Sequence, residues 1–407
     1  VVLNAGADGF GQGVANDVLE LYPYLSKAID AKDSAGDTSY FKTVINNDSN
    51  YIRIGTVTTW NTQWGKISTE VSSATGGYGN SGVTGFNSVK LTGGYDGDYV
   101  TSDYQDAWNI FTDTEQEDVS LLVAGCGGSD TLGESDSETV LGHIVDLATT
   151  RKDCVAFISP SKGDVVGGDT ASKKLDNLTA AASGFRTNKV NKNTSYAFLD
   201  SGWKYQYDKY AKVYRWVPLN GDSAGLTART DQSRDPWWSP AGYNRGQIKN
   251  VVKLAYNPSK AHRDALYLRQ INPVVSFPGE GTLLYGDKTM LTRPSAFDRL
   301  NVRRLFIVLE KAISTAAKFQ LFEFNDAFTR AQFRNMVEPF LRDVKGRRGM
   351  TDFRVVCDET NNPGSVIDRN EFVGDIYIKP TRSINFIQLN FVAVATGVDF
   401  SEIVGKF

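Results

Sequence analysis

The sequence predicts an α+β protein of several domains: a β-rich outer piece over residues 1–92, an α/β middle domain over 93–258, and a C-terminal domain over 259–407 in which helices pack on a mixed β-sheet. Three observations carry that reading. Between Val119 and Ile158 a short apolar run, a helix-spaced stretch and a second apolar run follow one another, which is the βαβ pattern. Two long segments of helical periodicity follow Phe297, and an alternating apolar run closes the chain. With 407 residues, 41% of them apolar, there is material for more than one core.

Residues 1–92 are low in charge and rich in Thr, Asn, Ser and Gly, with β-type runs at Tyr51–Thr58 and Gly65–Val71. The cluster GGYGNSGVTG reads as a flexible loop. The chain opens Val1-Val2-Leu3-Asn4, without an initiator Met and unlike a signal or transit peptide, so the expectation is a fragment or a processed product.

In the middle domain, Val119–Ala124 and Cys154–Ile158 are the expected strands. Ser137–Thr150, with Val140, Ile144 and Leu147 on one face, is the helix between them. Sequential parallel strands imply a right-handed crossover. The AGCGGSD turn invites a dinucleotide-fold reading, yet it lacks the G-x-G-x-x-G spacing. Glu134, Asp136 and Glu138 also crowd the helix start, where a pyrophosphate would lie. GFGQG at Gly9–Gly13 has no strand ahead of it. Further on, Trp203, Tyr205, Tyr207, Tyr214 and Trp216 alternate as on strand faces. Interleaved Tyr, Lys and Arg would also suit a stacking platform for single-stranded nucleic acid, but aromatics at period two more often pack across strands.

FPGEGTLLYGDKTM, residues 277–290, looks like a phosphate loop with one residue too many. Its interior, Thr282-Leu283-Leu284-Tyr285, is bulky, and Asp287 puts a negative charge where phosphate would sit. A short strand ending in a Gly-Asp turn is the better reading.

Beyond it, FDRLNVRRLFIVLEKAISTAAKF is apolar almost all round and should be buried on most sides, with Ser295 as its N-cap. The next helix, Asp326–Val344, has a stripe of Phe333, Val337, Phe340, Leu341 and Val344, and Pro339 should kink it. Lys345, Arg347 and Arg348 suit its C-terminus. Strands are expected at Phe353–Cys357, Phe372–Lys379 and Ile384–Thr396, the last long enough to offer an unpaired edge to another chain.

The net charge of −3 conceals an asymmetry. Residues 1–150 hold 6 basic and 21 acidic residues, net −15, and residues 151–407 hold 38 and 26, net +12. Such a split lets the basic end of one molecule meet the acidic end of the next, or simply gives two solvated faces. A nucleic-acid partner fits less well, because Arg303, Arg304, Glu310 and Lys311 mix signs. Cys126, Cys154 and Cys357 are widely spaced, two of them in apolar runs, which is the usage of buried thiols in a reducing compartment. Two histidines, His143 and His262, give a transition metal little to bind, and no run of 18 apolar residues is present for membrane insertion. No cofactor is expected.

NRGQIKNVVKLAYNP, PSAFDRLNVRRLFIVLEKAI, FNDAFTRAQFRNMVEPFLRDVKGRRG, VVCDETNNPGSVIDRNEFVGDIYIKP and SINFIQLNFVAVATGVDF closely resemble the tail sheath proteins of T4-like contractile-tailed bacteriophages. The likeness is strongest over Tyr243–Phe407, looser through DSGWKYQYDKY and WNIFTDTEQEDVSLLVAGC, and faint over residues 1–87. It implies a non-enzymatic structural subunit of the virion tail, made in the host bacterial cytoplasm. Hexameric rings would stack helically around the tail tube and contract to drive the tube through the host envelope for genome delivery. The implied partners are further copies of the chain, the tail tube protein, the baseplate and the tail terminator. The resemblance also implies an inner C-terminal domain that contacts the tube and accepts β-strands from neighbouring subunits, with middle domains sliding outside it. Family sheaths carry further N-terminal sequence, an arm and an outer domain; the expectation is that this chain lacks it, so that the hexameric rings belong to the full-length protein and a monomer is one state open to the fragment.

Asn385, Ile387, Leu389, Phe391, Val398, Phe400 and Phe407 are then the subunit-interaction candidates. Arg303, Arg304, Arg347 and Arg348 are candidates for charged partner contacts, against the alternative of solvated helix ends with intrachain pairs. Two other functions compete. One is a passive decoration or receptor-binding module built on the aromatic-rich middle. The other is an enzyme, either a hydrolase using His262 and Asp264 or a nucleotide binder using Gly281–Thr289.

Overall fold

The computed structural model describes residues 2–3, 18–26, 31–54, 100–125 and 133–385. The chain divides into two units, Val1–Gly97 and Asp98–Phe407.

In the first unit β1 (Val2–Leu3) pairs antiparallel with β2 (Val18–Glu20), and α1 spans Phe41–Asp48. That helix is an addition to the β-rich expectation. Of the expected strand Tyr51–Thr58, only residues 51–54 are described, and they form no strand. Asn46 on α1 supplies the reason: its Oδ1 accepts from the Ile54 N–H at 2.6 Å and its Nδ2 donates to the Ile54 carbonyl at 3.0 Å. Both backbone groups that a ladder would use are therefore occupied. The expected strand Gly65–Val71 and the Gly-rich loop lie outside the described residues.

The second unit starts with α2 (Thr101–Asn109) and builds a parallel sheet from β3 (Leu121–Val123), β4 (Val155–Ile158) and β5 (Ala197–Leu199), in the order β3-β4-β5. Helix α3 (Glu134–Arg151) joins β3 to β4, as the βαβ pattern predicts, and stops at Lys152 in the left-handed conformation, φ 65°. Successive residues of β4 point to opposite sides. Ala156 and Ile158, with Cys154 just before the strand, share a core with Val140, Leu141, Ile144 and Ala148 of α3 and Leu178 of α4 (Ala171–Thr179). Val155 and Phe157 share the opposite core with Ala224 and Leu226 of α5 (Asn220–Ser233). Continuous apolar strands covered on both faces are the usual consequence of parallel pairing.

Strands β6 (Trp203–Asp208) and β7 (Val213–Pro218) carry the alternating aromatics expected of strand faces and pair as a hairpin, with Tyr205 opposite Trp216 and Tyr207 opposite Tyr214. Then come β8 (Gln247–Ile248), β9 (Lys253–Leu254) on the free edge of β6, α6 (Lys260–Leu268), β10 (Val274–Phe277) and β11 (Gly281–Leu284). Strands β10, β11 and β8 make an antiparallel sheet in that order. The bulky interior of the loop that mimics a phosphate site, Thr282–Leu284, is thus part of a hairpin strand, as predicted.

Ser295 caps only a short 3-10 turn, Ala296–Asp298, and α7 starts afresh over Leu300–Ala317. The interruption has a cause: the Thr289 N–H donates to the Asp298 carbonyl, the Leu300 N–H to the Asp287 carbonyl, and Thr289 Oγ1 to the Phe297 carbonyl. These bonds tie the linking residues to the preceding segment. Helix α7 is buried on two sides, as expected. Leu300 and Ile307 belong to the core of the parallel sheet, while Leu305 and Leu309 belong to a second core. That second core is completed by α8 (Ala327–Gly346), through Phe333, Val337, Leu341 and Val344. Asp326 caps α8 by accepting from the Thr329 N–H at 2.8 Å, and Pro339 sits inside the helix at an exposed position.

Candidate subunit interface

Beyond α8 the chain forms an antiparallel hairpin of β12 (Met350–Val356) and β13 (Asp375–Pro380). Its sequence alternates. Met350 and Val355 are buried and Phe353, Ile376 and Ile378 half-buried against α7 and α8, while Arg354, Tyr377 and Lys379 face out. Gly349 makes the turn from α8 possible, since a Cβ there would lie 2.7 Å from Val344 and 3.2 Å from the Trp237 ring. The loop between the strands is pinned by Asn362, which is 1% exposed; it accepts from the Val373 N–H at 2.9 Å and donates to the Val373 carbonyl at 2.8 Å. Among the described residues this sheet has two strands, so each has an outer edge with no strand beside it. An open edge is a row of unpaired N–H and C=O groups.

The segment that leaves β13 is held by polar contacts. The Thr381 N–H donates to the Gly349 carbonyl at 3.2 Å, and Asn301 Nδ2 donates to the Thr381 carbonyl at 3.3 Å. Ser383 Oγ donates to Asp287 Oδ2 at 2.7 Å. Asp287, 2% exposed, also faces the Arg299 guanidinium at 3.2 Å and the Tyr267 hydroxyl at 3.4 Å. Burial pushes the Tyr267 phenol upward, and the charge of Asp287 adds to it, so Tyr267 stays a neutral donor. The Asn385 amide lies 3.2 Å from the Tyr267 hydroxyl, and with its oxygen turned inward it also accepts from Arg299. Tyr267, Asp287, Arg299, Ser383 and Asn385 thus clasp the start of the C-terminal segment.

Of the interaction candidates, Asn385 sits in this clasp; Ile387, Leu389, Phe391, Val398, Phe400 and Phe407 lie outside the described residues, as does all of the expected strand Ile384–Thr396 except Ile384 and Asn385, which form no strand. The four arginines separate into two pairs. Arg303 is buried; it donates to Ser195 Oγ at 2.9 Å and the Tyr196 hydroxyl at 3.1 Å, and it stacks over Tyr196 and Phe297. Arg304 makes a bidentate pair with Asp231 at 2.5 and 2.7 Å. Both are taken up within the chain, because α7 turns those positions into its core-facing sides. Arg347 is half exposed, pairs with Asp235 at 2.9 Å and also with Asp343, and stacks on Trp237. Arg348 is exposed at φ 66°, with its guanidinium over Trp238. These two remain at the surface beside the hairpin.

The residues of the enzyme readings are not brought together. His262 and Asp264 are two apart on α6 and so do not face each other; His262 Nδ1 is 3.1 Å from the Tyr256 hydroxyl, and Asp264 is exposed. Lys288 turns inward, donating from Nζ to the Tyr267 carbonyl at 2.7 Å. The clasp itself is absent from the sequence reading, since its members lie far apart in the chain. Its one visible trace is the Gly286-Asp287-Lys288 turn.

The region described as phage tail sheath protein central domain matches residues 97–290, and that described as phage tail sheath C-terminal domain matches residues 292–393. The chain belongs to the phage tail sheath family. It is 49% identical over 325 residues to the tail sheath protein of Vibrio phage KVP40, covering 77% of this chain and 47% of that protein. To the tail sheath protein of Enterobacteria phage T4 it is 48% identical over 327 residues, 79% of this chain and 49% of the relative. To that of Salmonella phage ViI it is 37% identical over 391 residues, 96% and 55%. This sheath chain therefore spans about half the length of the curated relatives it matches. The same fold is present in the sheath complex of the PVC extracellular contractile injection system in its contracted state, with TM-score 0.57 and 18% identity over 74% of this chain and 80% of that one. It is present again in the contracted helical sheath of the anti-feeding prophage, with TM-score 0.55 and 15% identity over 72% and 73%.

Proposed function

We propose that this chain is the structural subunit of a contractile tail sheath. Copies polymerise as hexameric rings stacked helically around the tail tube, and contraction drives the tube through the host envelope. The observation that carries the reading is the β12–β13 hairpin, fixed on two helices, with both outer edges open among the described residues and with the following segment launched from a clasp. Such an edge is completed by strand addition, in which main-chain hydrogen bonds join the partners. Residues 385–407 of a neighbour are the donor in this reading, with Arg347 and Arg348 as charged contacts at the rim. The tail tube, the baseplate and the tail terminator are the other partners, the site of action is the virion tail after synthesis in the host cytoplasm, and no catalysis, nucleic acid or membrane insertion is involved. The working division remains 1–92, 93–258 and 259–407, the last being the sheath core domain.

A second feature supports self-assembly. The turn between α7 and α8 exposes Phe319, Leu321, Phe322, Phe324 and Phe328, and Phe322 is held at φ 70° while fully exposed. Contiguous exposed apolar side chains mark contact surfaces. A bulky residue in the left-handed region carries strain that points the same way. Negative-stain microscopy and sedimentation of the chain, with and without purified tail tubes, test the reading. Rods or ring stacks around the tubes are expected. Monomers at every concentration, with bare tubes beside them, would overturn it.

A further inference from the structure

The β6–β7 hairpin leaves the body of the second unit as a finger. Trp203 and Lys204 at its base are buried, whereas Tyr207, Val213 and Tyr214 are exposed and Tyr210 at the tip is 86% exposed. Beyond Tyr205, where the pairing with β9 ends, the hairpin has no third strand among the described residues, and a two-stranded hairpin is marginal in water. This one is stiffened by its own rings: Tyr205 stacks on Tyr214 at 5.6 Å, Tyr205 meets Trp216 at 4.9 Å, and Tyr207 meets Tyr214 at 5.0 Å. Cations surround the ridge. Lys253 lies over Tyr205 and Trp216, Lys209 over Tyr210, and Lys212 stands at the tip with φ 53°. Asp208, the acid of the hairpin, is already engaged by Arg215 at 3.1 Å and by the Tyr210 and Ala211 N–H groups. Lys209, Lys212 and Lys253 have no ion-pair partner among the described residues. The finger is a rigid aromatic ridge with unspent positive charge.

Elsewhere on the same unit is its electrostatic complement. No Lys or Arg occurs between Lys90 and Arg151. In the described part of that stretch, α2 and the turn after it expose Asp103, Asp106, Asp113, Glu115, Glu117 and Asp118. Lys311 takes Asp118, and Lys318 approaches Glu115 at 3.9 Å, while Asp106 and Glu117 have no ion-pair partner among the described residues. Ile110, 70% exposed, stands amid these acids and offers an apolar contact to a ring.

We propose that the β6–β7 finger of one copy docks on the acidic segment 100–118 of a second copy. This rests on the sheath reading and adds to it a contact other than strand addition. The two patches differ, so the contact is head to tail and propagates, as an open helical polymer requires. Exposed charges at its rim are screened over about 8 Å at physiological salt, so the contact can be remade without a large barrier.

Isotope-labelled and unlabelled chains, mixed at low salt and joined with a zero-length carbodiimide, should give mixed-isotope links from Lys209 or Lys212 to residues 103–118. Sedimentation should then show association weakened about tenfold or more in Lys209→Glu/Lys212→Glu and, separately, in Glu115→Lys/Glu117→Lys. Mixing the two reversed proteins should restore it, because the reversed finger of the first matches the reversed segment of the second, and the unaltered finger of the second matches the unaltered segment of the first. Unaltered thermal unfolding of both variants excludes a folding defect; should either unfold, Lys209→Gln/Lys212→Gln serves with a smaller loss. Association that survives both reversals, or links from the finger only to other regions or to added oligonucleotide, overturns the docking and leaves the sheath reading standing. A wild-type chain that stays monomeric at low salt with tail tubes present overturns both.

Discussion

The parallel sheet β3-β4-β5 and the hairpin β12–β13 are built on opposite plans. Val155, Ala156, Phe157 and Ile158 are wholly buried, covered by α3 on one side and by α5 and α7 on the other. The hairpin has one face on α7 and α8, one face in solvent, and two unfilled edges among the described residues. The first region is finished by its own chain. The second leaves strand edges open among the described residues, and in the proposed strand addition another copy finishes it; the difference separates what holds the subunit together from what would join subunits.

Four variants probe that contrast, in falling order of expected effect. Phe157→Ala should cost about 3–5 kcal/mol, read by denaturant unfolding, because it empties a closed core. A loss below about 1 kcal/mol would mean that the sheet is not the stability centre. Asp287→Ala should cost about 2–4 kcal/mol, since it removes the buried acceptor shared by Arg299, Tyr267 and Ser383, although Arg299 keeps Asp298 at 3.5 Å. It should also speed proteolysis near residue 385, which Phe157→Ala should do only through global unfolding.

The third concerns pH. Burial pushes Asp200 from its ordinary 3.8 up to about 8, while Ser159 Oγ at 2.6 Å and the Gly202 N–H at 2.9 Å oppose the shift. Between those values the folded state holds a proton that the unfolded state has released. Stability from this group is therefore full below about 4 and is lost as pH rises through about 8. Asp200→Asn should flatten that limb of a melting-temperature profile, and an unchanged profile would show that Asp200 is ionised in the folded protein. The smallest effect on stability belongs to Arg347→Ala together with Arg348→Ala, where the Arg347 ion pairs are solvent-screened and Arg348 has none among the described residues. Unfolding should hardly change while polymer formation weakens; a large stability loss with normal assembly would reverse their assignment.

Much of the closed region is legible in the sequence. CVAFI reads as an apolar strand of a βαβ unit, and the all-round apolar character of the helix after Phe297 reads as burial on most sides; that the strand is covered on both faces and the helix serves two cores emerges only from the packing. The two strands of the hairpin are legible too, as Phe353–Cys357 and Phe372–Lys379, but their pairing with each other is not. Contacts between distant residues are not. Arg303 and Arg304 read as helix-surface charges, and only the packing of α7 against Ser195, Tyr196 and Asp231 makes them internal. Asp287 and Ser383 lie 96 positions apart, and no local periodicity joins them. Near the N-terminus the side chain of Asn46 prevails over the β-propensity of Tyr51–Ile54, a local competition that composition cannot foresee.

The clasp has a mechanical meaning. Tension applied to the chain beyond Asn385 reaches Asp287, Tyr267 and Arg299 before it reaches the ladder between β12 and β13. The hairpin is thereby sheltered from being unzipped residue by residue from its end. The pull passes instead into the segment joining β11 to α7, and from there to a helix seated in two cores at once. A subunit tugged by its neighbour would move as one block, transmitting displacement rather than absorbing it by stretching.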